Sequence, residues 1–124
     1  MKENIIKLIK YPNRFLIKLK FFKKKNLIDK FSIIYKNNYW DNKESFSGPG
    51  STLNNTKNLR SVLNKIIKKF KIKTIFDAPC GDCNWIKFVL KKNQVKYLGA
   101  DIVQQCVQNN TLKFNNKNIK FKQM

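Results

Sequence analysis

The chain has 124 residues, about the length of one small domain. Its 42% hydrophobic content is sufficient for a core and argues against wholesale disorder. The absence of histidine excludes Ser-His-Asp and Cys-His catalytic arrangements, and three cysteines do not suggest a disulfide framework.

The formal net charge is +20, with 27 basic and 7 acidic residues. Such a charge is typical of proteins that contact nucleic acid or anionic membranes. Only Arg14 and Arg60 are arginines, however, and arginine is the residue that makes forked contacts with phosphates and guanine edges. The Lys, Asn, Ile and Phe content also fits AT-rich codon usage. A non-enzymatic basic module that binds nucleic acid or an anionic membrane therefore stays as an alternative function.

Lysines interrupt every apolar run, so none is long enough to cross a membrane. The first ten residues lack the continuous apolar stretch of a signal peptide. We expect a cytoplasmic location and no integral membrane segment.

Residues 1–44 are predicted to form a basic helical extension. They can lie on an anionic membrane, although packing against the domain or a partner explains the same pattern. Their apolar residues have a spacing compatible with one or two amphipathic helices: Ile5, Ile9, Phe15, Leu19 and Phe22.

A polar segment over 37–52 contains Gly-Pro-Gly, which predicts a loop. Ser51 or Thr52 is then expected to cap a helix over 52–70 by accepting hydrogen bonds from its first amides. The apolar residues of this segment recur at helical spacing: Leu53, Leu59, Leu63, Ile66 and Phe70.

The remainder of the chain alternates between predicted strands and helices. We expect a buried strand at 73–78, a helix at 84–92, a strand at 95–101, a helix at 103–114 and a third strand at 118–123. This alternation indicates βαβ units, a parallel sheet and an α/β fold.

The turn after the first strand has the features of a cofactor loop. Asp77 ends that strand, and Gly81 lets the backbone approach a ligand closely. Asp101 ends the second strand 20 residues after Gly81, the spacing at which dinucleotide-binding units place an acid on the ribose hydroxyls. Only one of the three glycines of that fingerprint is present, because Pro79 and Cys83 stand at the other two positions.

These features together resemble the class I S-adenosylmethionine-dependent methyltransferases. The stretch TIFDAPCGDCNW (74–85) is similar to their first motif, and YLGADIV (97–103) to the strand that carries their ribose-binding acid. The stretch SFSGPGSTLNNTKNLRSVL (45–63) looks like the loop and helix that precede their sheet. The resemblance implies that 45–124 is the N-terminal half of a Rossmann-like, three-layer, S-adenosylmethionine-binding domain that ends inside its third strand.

The same resemblance implies cofactor contacts, without assigning a catalytic residue, a metal or the methyl acceptor. Asp101 would hold the ribose, Asp77 would orient the methionine ammonium through water, and Ile102 would pack beside the adenine. Arg60 would pair with the methionine carboxylate or simply lie on a solvated helix face. Trp85 is expected in the core. The turn that would wrap the methionine portion consists of Ala78, Pro79, Cys80, Gly81 and Asp82.

Cys80 and Cys83 also form a Cys-x-x-Cys motif between a strand and a helix, as in thioredoxin-like redox proteins. A helix N-terminus would lower the pKa of Cys80, but Asp77 and Asp82 disfavour a thiolate. No proline follows Pro79, so the proline that such folds place opposite their cysteines is missing. A structural zinc site would need four Cys or His ligands, whereas the chain has three cysteines and no histidine.

Overall fold

The computed structural model describes residues 12–124, with side chains from Leu16 onward. Of the apolar residues predicted for the N-terminal helices, Ile5 and Ile9 lie outside the described residues, as does the side chain of Phe15. Five α-helices and three β-strands occupy the described part, in the order α1 Pro12–Lys23, α2 Leu27–Lys36, α3 Lys57–Lys69, β1 Thr74–Asp77, α4 Ile86–Lys92, β2 Lys96–Asp101, α5 Gln104–Phe114 and β3 Ile119–Gln123.

The three strands form one parallel sheet in the order β1-β2-β3. Parallel neighbours need crossover connections, and α4 and α5 provide them. The predicted α/β fold with a parallel sheet is therefore confirmed, and each of the strands and helices predicted after residue 73 is found within two residues of its expected bounds. None of the described helices combines the length and apolar character needed to span a membrane.

The core lies between one face of the sheet and helices α3, α4 and α5. On the sheet side, Tyr97 is 2% exposed and its ring lies 6.0 Å from that of Phe121. The helices contribute a smaller set of apolar side chains: Ile67, Ile86, Val89 and Phe114. Gly99 makes room for the ring pair, because a Cβ there would lie 2.8 Å from the Phe121 ring.

One expectation about the sheet is wrong. The strand predicted as buried is an edge strand in the described part, and its Phe76 is 65% exposed. A short apolar run is equally consistent with a central and an edge strand, which explains the error. The incomplete three-layer, Rossmann-like arrangement stays a prediction.

The helix predicted over 52–70 begins only at Lys57, so Ser51 and Thr52 do not cap it. Residues 52–56 instead form turns, in which the Thr56 hydroxyl donates to the Thr52 carbonyl at 2.8 Å. The carboxylate of Glu44 accepts the Leu53 amide at 2.6 Å. This contact joins the turns to the segment before the Gly-Pro-Gly loop.

Candidate functional site

A cleft of about 520 Å³ lies beyond the carboxyl ends of β1 and β2. Open α/β sheets bind their ligands at this edge. Seven of the nine cofactor-binding residues expected from the sequence line the cleft: Asp77, Pro79, Cys80, Gly81, Asp82, Asp101 and Ile102. Ala78 and Arg60 do not line it.

Asp101 ties the turn to the end of β2. It is 6% exposed, and its two carboxylate oxygens accept the amides of Gly81 at 3.0 Å and Val103 at 2.9 Å. A carboxylate has about four acceptor sites, so these two bonds leave others for hydroxyl groups of a ligand. Asp101 can therefore hold the turn and bind a diol at the same time.

Asp77 faces the cleft from the end of β1. Burial raises the pKa of Asp77, a hydrogen bond from Tyr97 lowers it, and the charge of Asp101 raises it again, with a net upward shift. The Tyr97 hydroxyl donates to one carboxylate oxygen at 2.7 Å, which leaves the other oxygen available. A positively charged ligand group beside Asp77 would relieve the cost of burying its charge.

Asp82 forms hydrogen bonds with a second segment, residues 44–47, which we call the strap. Its carboxylate accepts the Ser45 hydroxyl at 2.9 Å, the Phe46 amide at 2.8 Å and the Ser47 hydroxyl at 3.1 Å. Ser45 is completely buried. Asp82 thus positions the strap against the turn, with the Phe46 side chain on the wall of the cleft.

Gly81 is required where the strap meets the turn. Its φ is +54°, a left-handed conformation that favours glycine, and a Cβ there would collide with the Ser47 hydroxyl. Cys83, at the position where the fingerprint has its last glycine, also has a positive φ of 56°. Two of the three fingerprint positions therefore have a positive φ, although only one of them is a glycine.

Residues 35–46 contribute a wall that the sequence did not predict. Tyr35, Trp40 and Phe46 line the cleft, and the rings of Tyr35 and Phe46 meet edge to face at 5.7 Å. Tyr35 brings α2 onto α5 by packing against Cys106. The dense aromatic content just before the Gly-Pro-Gly loop was the available signal for this wall.

Trp85 lies where the sequence analysis predicts it, whereas Arg60 does not contact the cleft. Trp85 packs against the core cluster, as predicted, and also lines the cleft. The structure does not bring Arg60 to the cleft. Its guanidinium donates to the Leu53 carbonyl at 2.7 Å and lies 5.7 Å from the centre of the Phe88 ring. The turns at 52–56 provide this acceptor, which a continuous helix would not have offered.

The cleft is acidic although the chain is strongly basic. Among the residues whose side chains are described, its lining includes Asp77, Asp82 and Asp101 but neither lysine nor arginine. Three of the seven acidic residues of the chain are thus concentrated at one site. This charge favours a ligand that carries positive charge and disfavours a polyphosphate or a nucleic acid in the cleft.

Two of the three cysteines, Cys83 and Cys106, have the environment of unreactive thiols. All three are buried and free. A hydrogen bond with Cys80, followed by burial, raises the pKa of Cys83, and burial with the charge of Asp101 raises that of Cys106 to about 12. Reactive cysteines need a lowered pKa, so these shifts count against Cys83 and Cys106 as nucleophiles. Among residues 12–124 no group of three Cys, Asp or Glu side chains is arranged to hold a metal ion.

Comparison with known proteins gives no relative, since no protein-family model, curated protein or solved structure matches this chain. What can be said of its function depends on the cleft and on the residues that build it.

Proposed function

We propose that the cleft binds S-adenosylmethionine and that this chain provides the cofactor-binding part of a methyltransferase. The observation that carries the proposal is the placement of Asp77 and Asp101 at the ends of adjacent parallel strands, facing one acidic cleft across the Gly81 turn. The strand order β3-β2-β1 is also that of the first half of a Rossmann-like sheet.

The residues of the cleft fit the chemical groups of this cofactor. Asp101 has acceptor sites left for the ribose hydroxyls, and Ile102 lies beside it on the lining, where an adenine ring would pack. Asp77 offers a free carboxylate oxygen to the methionine ammonium. The acidic lining also favours a ligand whose sulfur and amino group are both positively charged.

When bound, S-adenosylmethionine supplies a methyl group on a positively charged sulfur. Methyl transfer needs mainly the alignment of that group with the acceptor, so the contribution of this chain is binding and orientation. Asp82 contributes by fixing the strap, because its three hydrogen bonds keep Phe46 on the cleft wall.

Tryptophan fluorescence provides a direct test, because both tryptophans of the chain, Trp40 and Trp85, line the cleft. Titration with S-adenosylmethionine should give a saturable change, and NADH and ATP should give none because their phosphates meet an acidic lining. Asp77→Asn should weaken S-adenosylmethionine binding by at least about tenfold, since a charged hydrogen bond contributes about 1.5–3 kcal/mol.

Asp29→Asn is the matched control for Asp77→Asn. It removes the same charge from an exposed position at the start of α2, where Asp29 pairs with Lys24. The control should bind S-adenosylmethionine as tightly as the wild type. Equal losses in both variants, or a folded wild type that does not respond, would contradict the proposal.

A further inference from the structure

A tyrosine of the core reaches the acidic cleft along the sheet. Tyr97 lies on β2 and is 2% exposed, yet its hydroxyl donates to an Asp77 carboxylate oxygen at 2.7 Å. Its register partner on β1 is Ile75, two residues before Asp77. Side chains two residues apart on a strand share a face of the sheet. The Tyr97 ring therefore extends over that face, from the core towards the end of β1.

Gly99 opens the path that the Tyr97 ring takes. It is the register partner of Asp77, and a Cβ at this position would lie 2.9 Å from the Tyr97 ring. The side chain that would otherwise stand beside Asp77 is absent, and the Tyr97 ring occupies the space. The sequence of β2 thus places a buried hydroxyl against the carboxylate of the neighbouring strand.

We propose that Tyr97 is a positioning residue of the cleft, which fixes the Asp77 carboxylate so that one of its oxygens is presented to a cationic ligand. The hydrogen bond from Tyr97 occupies the other oxygen, Oδ2. Tyr97 does not line the cleft, so it acts on a ligand only through Asp77. The effect on a ligand rests on the proposed function, whereas the effect of Tyr97 on Asp77 does not.

The same hydrogen bond favours the ionised form of Asp77. Burial raises the pKa of Asp77, the hydrogen bond from Tyr97 lowers it, and the charge of Asp101 at the end of β2 raises it again. A further titratable group near this pair is Cys83 in the turn, whose Sγ lies 3.7 Å from the Tyr97 hydroxyl oxygen. Tyr97 is therefore the neighbour that keeps Asp77 ionised to a lower pH than burial alone would allow.

Carbon-13 NMR titration of the free chain measures the pKa of Asp77, whose signal is identified by its absence from Asp77→Asn. Tyr97→Phe keeps the ring and removes only the hydroxyl, so the pKa of Asp77 should rise further. Gly99→Ala should raise it as well, because the new Cβ displaces the Tyr97 ring. The matched control is Tyr35→Phe, which removes a hydroxyl from another buried tyrosine, bonded to Asn109, and should leave the pKa of Asp77 unchanged.

Calorimetric titration with S-adenosylmethionine over a range of pH tests the effect on binding, with the fold of each variant followed by circular dichroism. An ionised carboxylate attracts the cationic ligand, so the affinity should fall as the pH drops through the pKa of Asp77. This fall should begin at a higher pH in Tyr97→Phe than in the wild type, a shift that a merely structural role of Tyr97 would not produce.

The positioning role and the proposed function fail in different ways. A pKa of Asp77 that is the same in Tyr97→Phe and the wild type, or that rises equally in Tyr97→Phe and Tyr35→Phe, would overturn the positioning role. Saturable binding of S-adenosylmethionine with one pH profile in both proteins would overturn it too, and would leave the cofactor site in place. A folded wild type that binds no S-adenosylmethionine would contradict the proposed function, and the NMR comparison would still decide the role of Tyr97.

Discussion

Replacing Gly81 by alanine should break the contact between the turn and the strap. The backbone at Gly81 has φ +54°, and left-handed geometry costs an alanine about 1–2 kcal/mol. The new Cβ would also displace the Ser47 hydroxyl, which donates to the Asp82 carboxylate at 3.1 Å and accepts from the Asp82 amide at 2.9 Å. At about 0.5–1.5 kcal/mol for each hydrogen bond, the free energy of unfolding should fall by about 2–5 kcal/mol in total.

A double-mutant cycle with Ser47→Ala tests this reasoning. Ser47→Ala alone loses the same two hydrogen bonds, at a cost of about 1–3 kcal/mol. Because both single variants lose these bonds and the double variant loses them only once, the double variant should be more stable than the sum predicts by about 1–3 kcal/mol. Urea unfolding followed by tryptophan fluorescence measures all four proteins. Additivity to within about 0.5 kcal/mol would refute the proposed contact.

Three further substitutions test other parts of the structure by urea unfolding. Asp82→Ala should lower the free energy of unfolding by about 2–4 kcal/mol, because the buried Ser45 hydroxyl loses its acceptor. A change under about 1 kcal/mol would contradict the stabilising role of the hydrogen bonds between Asp82 and the strap. Gly99→Ala should cost about 1–3 kcal/mol through its collision with the Phe121 ring, and a neutral effect would contradict that packing. Burial raises the pKa of Asp77 above its ordinary 3.8, because the folded state disfavours the ionised carboxylate. The protonated Asp77 side chain therefore contributes to stability at low pH, and this contribution is lost as the pH rises through the raised pKa. Asp77→Asn should remove this pH dependence, and an unchanged slope would show that other groups cause it.

Local patterns predicted the elements around the turn. Alternating apolar segments indicated the strands and the crossover helices, and parallel strands necessarily end at one edge of a sheet. Asp77 and Asp101 were therefore expected together, and the structure places both on the same cleft. Their grouping follows from topology rather than from side-chain detail.

The wall and the strap could not be predicted in this way, because they depend on contacts between distant parts of the chain. Ser45 and Asp82 are 37 residues apart, and nothing in either local pattern indicates their hydrogen bond. The late start of α3 is a further difference, because residues 52–56 form turns although the apolar spacing favours a helix there.

Isothermal titration calorimetry of the full chain with S-adenosylmethionine tests the central proposal most directly. Asp101→Asn and the control Asp29→Asn, each shown to be folded by circular dichroism, are titrated beside the wild type. We expect saturable binding in the wild type and the control, and binding at least about tenfold weaker in Asp101→Asn, because an amide accepts less strongly than a carboxylate from the ribose hydroxyls. A folded wild type that gives no heat of binding, or an Asp101→Asn variant that binds as tightly as the wild type, would contradict the assignment of this cleft to S-adenosylmethionine.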